Sequence, residues 1–128
     1  MLDVSQGFLN KAKQAQRASK FLLGNGHMDS AASEAYYVLF FTAQALLHAK
    51  GVHYRHTHSA VIRTYGIEFA KSKELDTKFH RYLIDARKRE IIADYHLDQH
   101  VTEGHVREIL VWGKEFLQTA QKHIGTQS

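Results

Sequence analysis

From about Val4 to Leu23 the small or apolar residues Phe8, Ala12, Ala15, Ser19 and Leu22 recur every three or four positions. Lys11, Lys13, Gln14 and Arg17 fall outside that stripe, the pattern of a helix with one face toward a core. A second helical segment runs from about Ser30 to Lys50, with Asp29 or Ser30 as its expected N-cap. Its main stripe is Ala32, Tyr36, Leu39, Ala43 and Leu46/Leu47, and Val38, Phe41 and Ala45 make a further apolar row on another face. A helix apolar over so much of its circumference is either central to the fold or covered on one side by a partner. Thr57 or Ser59 opens a shorter helix reaching about Ala70, with Val61, Ile62, Tyr65 and Phe69. The fourth, from about Thr77 to Asp94, carries Phe79, Tyr82, Leu83 and Ala86 before the charged run Arg87-Lys88-Arg89-Glu90. Thr102 opens the last, with Glu103 favourable near the positive end of the helix. Val106, Ile109/Leu110, Gly113, Phe116/Leu117, Ala120 and Ile124 form its stripe. The joints are Gly24-Asn25-Gly26, Gly51, Asp76-Thr77 and Asp98-Gln99-His100. Nothing alternates as a strand does. The pattern predicts an all-α fold, an antiparallel up-and-down bundle of four long helices plus one shorter helix.

At 128 residues the chain has room for one core, so residues 1–128 read as a single domain. With 44% hydrophobic and 23% charged residues it has enough apolar surface to fold rather than remain disordered. Cysteine is absent, which excludes disulfides, thiolate zinc sites and cysteine nucleophiles. The absence of proline favours unbroken helices. No apolar run approaches the ~20 residues of a membrane span. The start, MLDVSQGF, lacks the basic-then-apolar pattern of a signal peptide. The expectation is a soluble, cytoplasmic protein with no membrane partner. A net charge of +4 permits nucleic-acid contact without demanding it. Ten histidines, against about three at ordinary usage, make the positive charge climb as pH falls below ~6.5.

The stretch from Arg87 to His96 offers chemistry. Arg89 and His96 are seven apart, two turns and about 10 Å along one face if the helix continues. An arginine holds phosphate oxygens bidentately and a histidine moves a proton near neutral pH. Together they can cleave RNA without a metal, the 2′-hydroxyl attacking the adjacent phosphate. The competing reading is a solvated helix end, where basic residues sit naturally. Asp94 is placed to orient either group, and Arg87, Lys88 and Arg81 are available for phosphate or RNA contact. His53, His56 and His58 fall in one short segment, but no carboxylate lies near them in sequence. A loop is the simpler reading, and no metal or other cofactor is expected. The aromatic run Tyr36, Tyr37, Phe40 and Phe41 reads as core rather than a base-stacking platform, with Tyr37 the best placed for an exposed or interface role.

The segment Asp29–Leu47 resembles the "A-x-x-x-A-Y-Y-x-x-F-x-x-A-x-A-L-L" stretch of HEPN-domain proteins. His58–Gly66 resembles the "H-S-x-x-I-x-x-F-G" that follows it, and Ala93-Asp94-Tyr95 the end of its "R…(A/G)-D-Y" helix. Trp112–Leu117 fits its closing "A-x-x-F" helix loosely. The set covers nearly the whole chain in order. The resemblance implies an up-and-down bundle that homodimerises, with Tyr36, Tyr37, Phe40 and Phe41 as interface residues. It implies a metal-independent ribonuclease with an R-x(4–6)-H motif, here Arg89 and His96, acting as a toxin. It also implies a minimal nucleotidyltransferase antitoxin as partner, adding AMP to a tyrosine near the histidine, here Tyr95. Two positions depart from the pattern: Glu90 directly follows the arginine, and Tyr95 precedes the histidine. These motivate the alternative of a non-catalytic binding module that docks a nucleotidyltransferase or another protein.

Overall fold

The first helix, α1 (Val4–Gly24), begins where the Asp3 carboxylate accepts the Ser5 and Gln6 backbone N–H groups at 3.1 and 3.3 Å. The structure, a computed structural model, describes residues 3–96 and 99–127. The buried stripe of α1 is Leu9, Ala12, Ala15, Ser19 and Leu23, with Ser5 at its start. It is turned by one residue at each end from the expected one. Phe8 is only half-buried because its ring lies at the edge of the bundle against Phe41 and His48. Ser19 fits inside by donating to the Ala31 carbonyl at 2.7 Å.

Helix α2 (Met28–Lys50) starts before the expected caps. His27 occupies the N-cap with no side-chain hydrogen bond, and Asp29 lies in the first turn, where its charge still suits the helix end. Gly51, at φ 77°, ends the helix in the left-handed conformation that glycine adopts without strain. The chain itself covers most of both apolar faces of α2, with Tyr37 and Phe41 left half-buried. Thirteen of its residues are buried, and it touches every other helix.

Helix α3 (His58–Tyr65) is capped by Thr57, whose hydroxyl accepts from the Ala60 N–H, and not by Ser59. The expected single helix to about Ala70 instead widens into a π-helical stretch, Gly66–Lys71. The His80 ring packs against Gly66 so closely that a Cβ there would stand 2.5 Å from it. His80 Nε2–H donates to the Ile62 carbonyl at 3.1 Å, and a side chain wedged into a helix this way is a usual cause of local widening.

Helix α4 (Lys78–Tyr95) is opened by Asp76 accepting from the Lys78 N–H, while Thr77 makes no cap bond. Its core face is Phe79, Leu83, Ala86 and Glu90. Helix α5 (Glu103–Gln127) is capped by Thr102, which accepts from the His105 N–H at 3.1 Å. Of the joint expected before it, Gln99 and His100 are loop, and Asp98 lies outside the described residues.

Neighbouring long helices alternate in direction. Phe8 meets His48 and Ser19 meets Ala31, so α1 opposes α2. Asp94 meets Ser33 and Arg87 meets Tyr36, so α4 opposes α2. Lys78 meets Glu115 and Arg89 meets Glu108, so α5 opposes α4. This is the expected up-and-down bundle. It leaves α2 and α5 parallel and close. At Gly113 an added Cβ would lie 2.9 Å from Val38 Cγ1. Phe116 fills the centre, stacked on Phe79 at 5.0 Å and edge-on to Tyr65 at 5.3 Å. Among the described residues no helix is long and apolar enough to cross a membrane.

Candidate functional site

The last two turns of α4 hold the charged residues that the sequence singled out, and the helix sorts them onto different flanks. Helical phase turns Arg87 toward α2 and α3 and Arg89 toward α5. The Arg89 guanidinium pairs with Glu108 at 2.5 Å and donates to the His105 carbonyl at 3.3 Å. It also lies over the Trp112 ring, 4.8 Å from the centroid. That indole in turn stacks on Tyr82. Arg89 is thus a cation held in one place by three partners on α5.

His96 does not share a helical face with Arg89. The helix ends at Tyr95, and His96 is its C-cap with extended backbone angles, φ −114° and ψ 99°. Its backbone N–H still bonds the Ile92 carbonyl at 3.1 Å, which ties it to the helix end. Its side chain is exposed and makes no hydrogen bond to the described residues. Tyr95 is 73% exposed. Lys88 and Arg81 are exposed too, with no ion-pair partner among the described residues.

Asp94 keeps other company. It accepts from the Ser33 hydroxyl at 2.9 Å, and its carboxylate acts on the Glu90 carboxyl. Glu90 is 3% exposed and ion-paired with Arg87. Burial pushes the Glu90 carboxyl up to about 7, the Asp94 carboxylate adds to the rise, and Arg87 opposes it. Arg87 also sits 5.7 Å from the centre of the Tyr36 ring. The Tyr36 hydroxyl and His58 Nδ1 share a hydrogen bond at 2.8 Å. Burial and then Arg87 lower the His58 imidazole, and burial raises the Tyr36 phenol. A polar chain from Ser33 through Asp94, Glu90 and Arg87 to Tyr36 and His58 therefore joins α2, α3 and α4.

Sequence reasoning missed this network. The signal was present for Glu90, which continues the spacing of Phe79, Leu83 and Ala86 onto the core face. For His58 there was none, since only the folded chain brings it to Tyr36. Of the histidine-rich segment, His56 bonds Gln44 while His58 bonds Tyr36. No three ligating side chains gather for a metal among the described residues. Of the four aromatic residues expected at an interface, Tyr36 and Phe40 lie in the chain's own core. Tyr37 and Phe41 remain half-buried, stacked at 5.4 Å.

The sequence was also compared with known proteins. The family model of the HEPN domain matches residues 5–124. A UPF0332 protein of Gloeobacter violaceus is 27% identical over 125 residues, 97% of this chain and 98% of that protein. A UPF0332 protein of Thermotoga maritima is 32% identical, covering 89% of this chain and 86% of its own. A Methanocaldococcus jannaschii protein bearing the name "Putative toxin" is 29% identical, covering 91% of this chain and 78% of its own.

Proposed function

The chain belongs to the HEPN-domain family, and from that premise we propose that it is the RNA-cleaving toxin of a toxin–antitoxin pair. The observation that carries this reading is the end of α4. There a fixed arginine, Arg89, is followed by an exposed histidine, His96, whose ring has no hydrogen-bond partner among the described residues. The name of the Methanocaldococcus jannaschii relative supports the toxin role.

In the proposed reaction the RNA 2′-hydroxyl attacks the adjacent phosphorus. The new P–O bond gives a 2′,3′-cyclic phosphate, and the 5′-oxygen leaves with a proton. His96 moves that proton, as base for the 2′-hydroxyl or acid for the leaving oxygen. Arg89 holds the phosphoryl oxygens. Its five N–H donors exceed the two bonds it makes to Glu108 and His105. Arg89 and His96 stand apart within one chain, and a homodimer that faces two α4 ends across a cleft supplies a second copy of each. Tyr37 and Phe41 are available to that contact, and exposed Lys88 and Arg81 to the RNA backbone. Tyr95 is open to a nucleotidyltransferase partner that moves AMP from ATP onto its oxygen and releases pyrophosphate.

Total RNA and tRNA incubated with the purified chain in EDTA test the reading. Cleavage is expected, and Arg89→Ala or His96→Ala is expected to lower its rate by about 100-fold or more. Cleavage unchanged in both variants removes the assignment. A second reading, a non-catalytic module that holds a protein partner, draws on the pairing of Arg89 with Glu108, which neutralises the cation. No cleavage by any of the three proteins favours it.

A further inference from the structure

The flank of α4 turned away from Arg89 carries a groove whose apolar floor has no part in the cleavage chemistry. Ile62 of α3 and Ile84 and Ile91 of α4 line a depression of 690 Å³. It adjoins a second depression, lined by Ile67 and Ala70 of the π-helical stretch, and Arg63 and His80 border both. Between Thr77 and Ile91 the groove follows α4 for about 21 Å, the length of roughly four helical turns. Ile67 stands half exposed at its edge.

The rim is positive. Arg63 and Lys71 line it, and Arg81 and Lys88 flank Ile84 at helical spacing. None of the four has an ion-pair partner among the described residues. The nearby carboxylates are engaged elsewhere: Glu68 with Lys50, Asp76 at the start of α4, and Glu90 with Arg87. Asp85 follows Arg81 by four residues and precedes Lys88 by three, so it lies beside those two cations and leaves the rim with a net positive charge. The two imidazoles in the groove each bond through one ring nitrogen, His58 to Tyr36 and His80 to the Ile62 carbonyl. A second copy of this chain, seated symmetrically, would set the four cations against their own images.

We propose that the groove between α3 and α4 is the docking site for an amphipathic helix of a partner protein. That helix has aliphatic residues along one face and carboxylates at its edges. A long apolar floor with a net positive rim is the form that recognises such a helix. The inference goes beyond the cleavage reading, because the groove lies on the other flank of α4 and stands whether or not RNA is cut.

The test uses the full chain and a fluorescein-labelled peptide of about 16 residues. Leucines repeat along it at three- and four-residue intervals, with glutamates between. One control replaces the glutamates with lysines, and another shuffles the order to break the stripe. Anisotropy is expected to show binding of the glutamate peptide alone, weakening as salt rises. Ile67→Glu, and Arg63→Glu with Lys71→Glu, are expected to weaken it about tenfold or more. All three positions are exposed, so circular dichroism should report an intact fold. Ile67→Glu should also leave RNA cleavage as it was, which separates a failure here from a failure of the ribonuclease reading. No binding, equal binding of a control, or indifference to the substitutions overturns the proposal. So does a dimer that Ile67→Glu splits in sedimentation, which assigns the groove to a second copy. RNA binding lost in Ile67→Glu assigns it to RNA and overturns the proposal as well.

Discussion

Gly113→Leu is expected to destabilise the fold by about 3 kcal/mol, near the upper end of what overpacking a core costs. At Gly113 α5 packs tightly on α2, and a Cβ would already stand 2.9 Å from Val38 Cγ1 and 3.2 Å from its Cβ. Val38 cannot give way easily. It is fully buried, and its branched side chain has one preferred rotamer in a helix. The helices must therefore separate, and the packing of Phe116 one turn further along α5 would loosen with them. Gly113→Ala meets the same contact with a smaller side chain and gains about 1 kcal/mol in helix propensity, so its loss should be smaller. Urea unfolding of both variants measures the difference. A leucine variant as stable as the parent would mean that the two helices are not held at this distance.

Glu90→Gln is expected to act in the other direction and only above a certain pH. The Glu90 carboxyl is raised from 4.5 to about 7 in the folded chain, so folding favours its protonated form. Its favourable contribution is complete below about pH 4.5 and fades as pH rises to about 7, beyond which the folded protein must hold a buried charge. Glutamine keeps an oxygen for Arg87 and carries no charge at any pH. The variant should match the parent near pH 4.5 and exceed it by about 2 kcal/mol at pH 8. Chemical unfolding across pH 4.5 to 8 reads this directly. A parallel pair of curves would show that Arg87 satisfies the carboxylate at no cost.

The bundle was legible because its helices are written in spacing and punctuation. Thr102 read correctly as a cap and Gly51 as a stop, and of the two candidates Thr57 and Ser59 it is Thr57 that caps α3. The start of α2 was misplaced because His27 makes no side-chain cap bond, so no local residue type announces it. The π-helical stretch was hidden for a different reason. Its companion is His80, from another helix, and a contact between distant residues leaves no local trace. The site was legible in its residue types but not in its geometry. Which of Arg87 and Arg89 faces inward depends on helical phase set by packing. The departure of His96 from the helix lacks the glycine or proline that would mark it. In sequence Glu90 stands out only as a departure from the family's pattern directly after the arginine. In the fold it is a buried partner of Arg87, on a different flank from Arg89.

The central place of α2 bears on how the molecule opens. Fraying of α1, or release of α3, uncovers only one side of α2 and leaves α4 and α5 packed against the rest. The amides from Leu39 to Leu46 become accessible to solvent only when the whole domain comes apart. Their hydrogen–deuterium exchange should then be the slowest in the chain and report the global unfolding free energy, while the ends of α1 and α5 exchange by local opening. The helix that bears most of the family's recognisable residues would thus also be the last to let go.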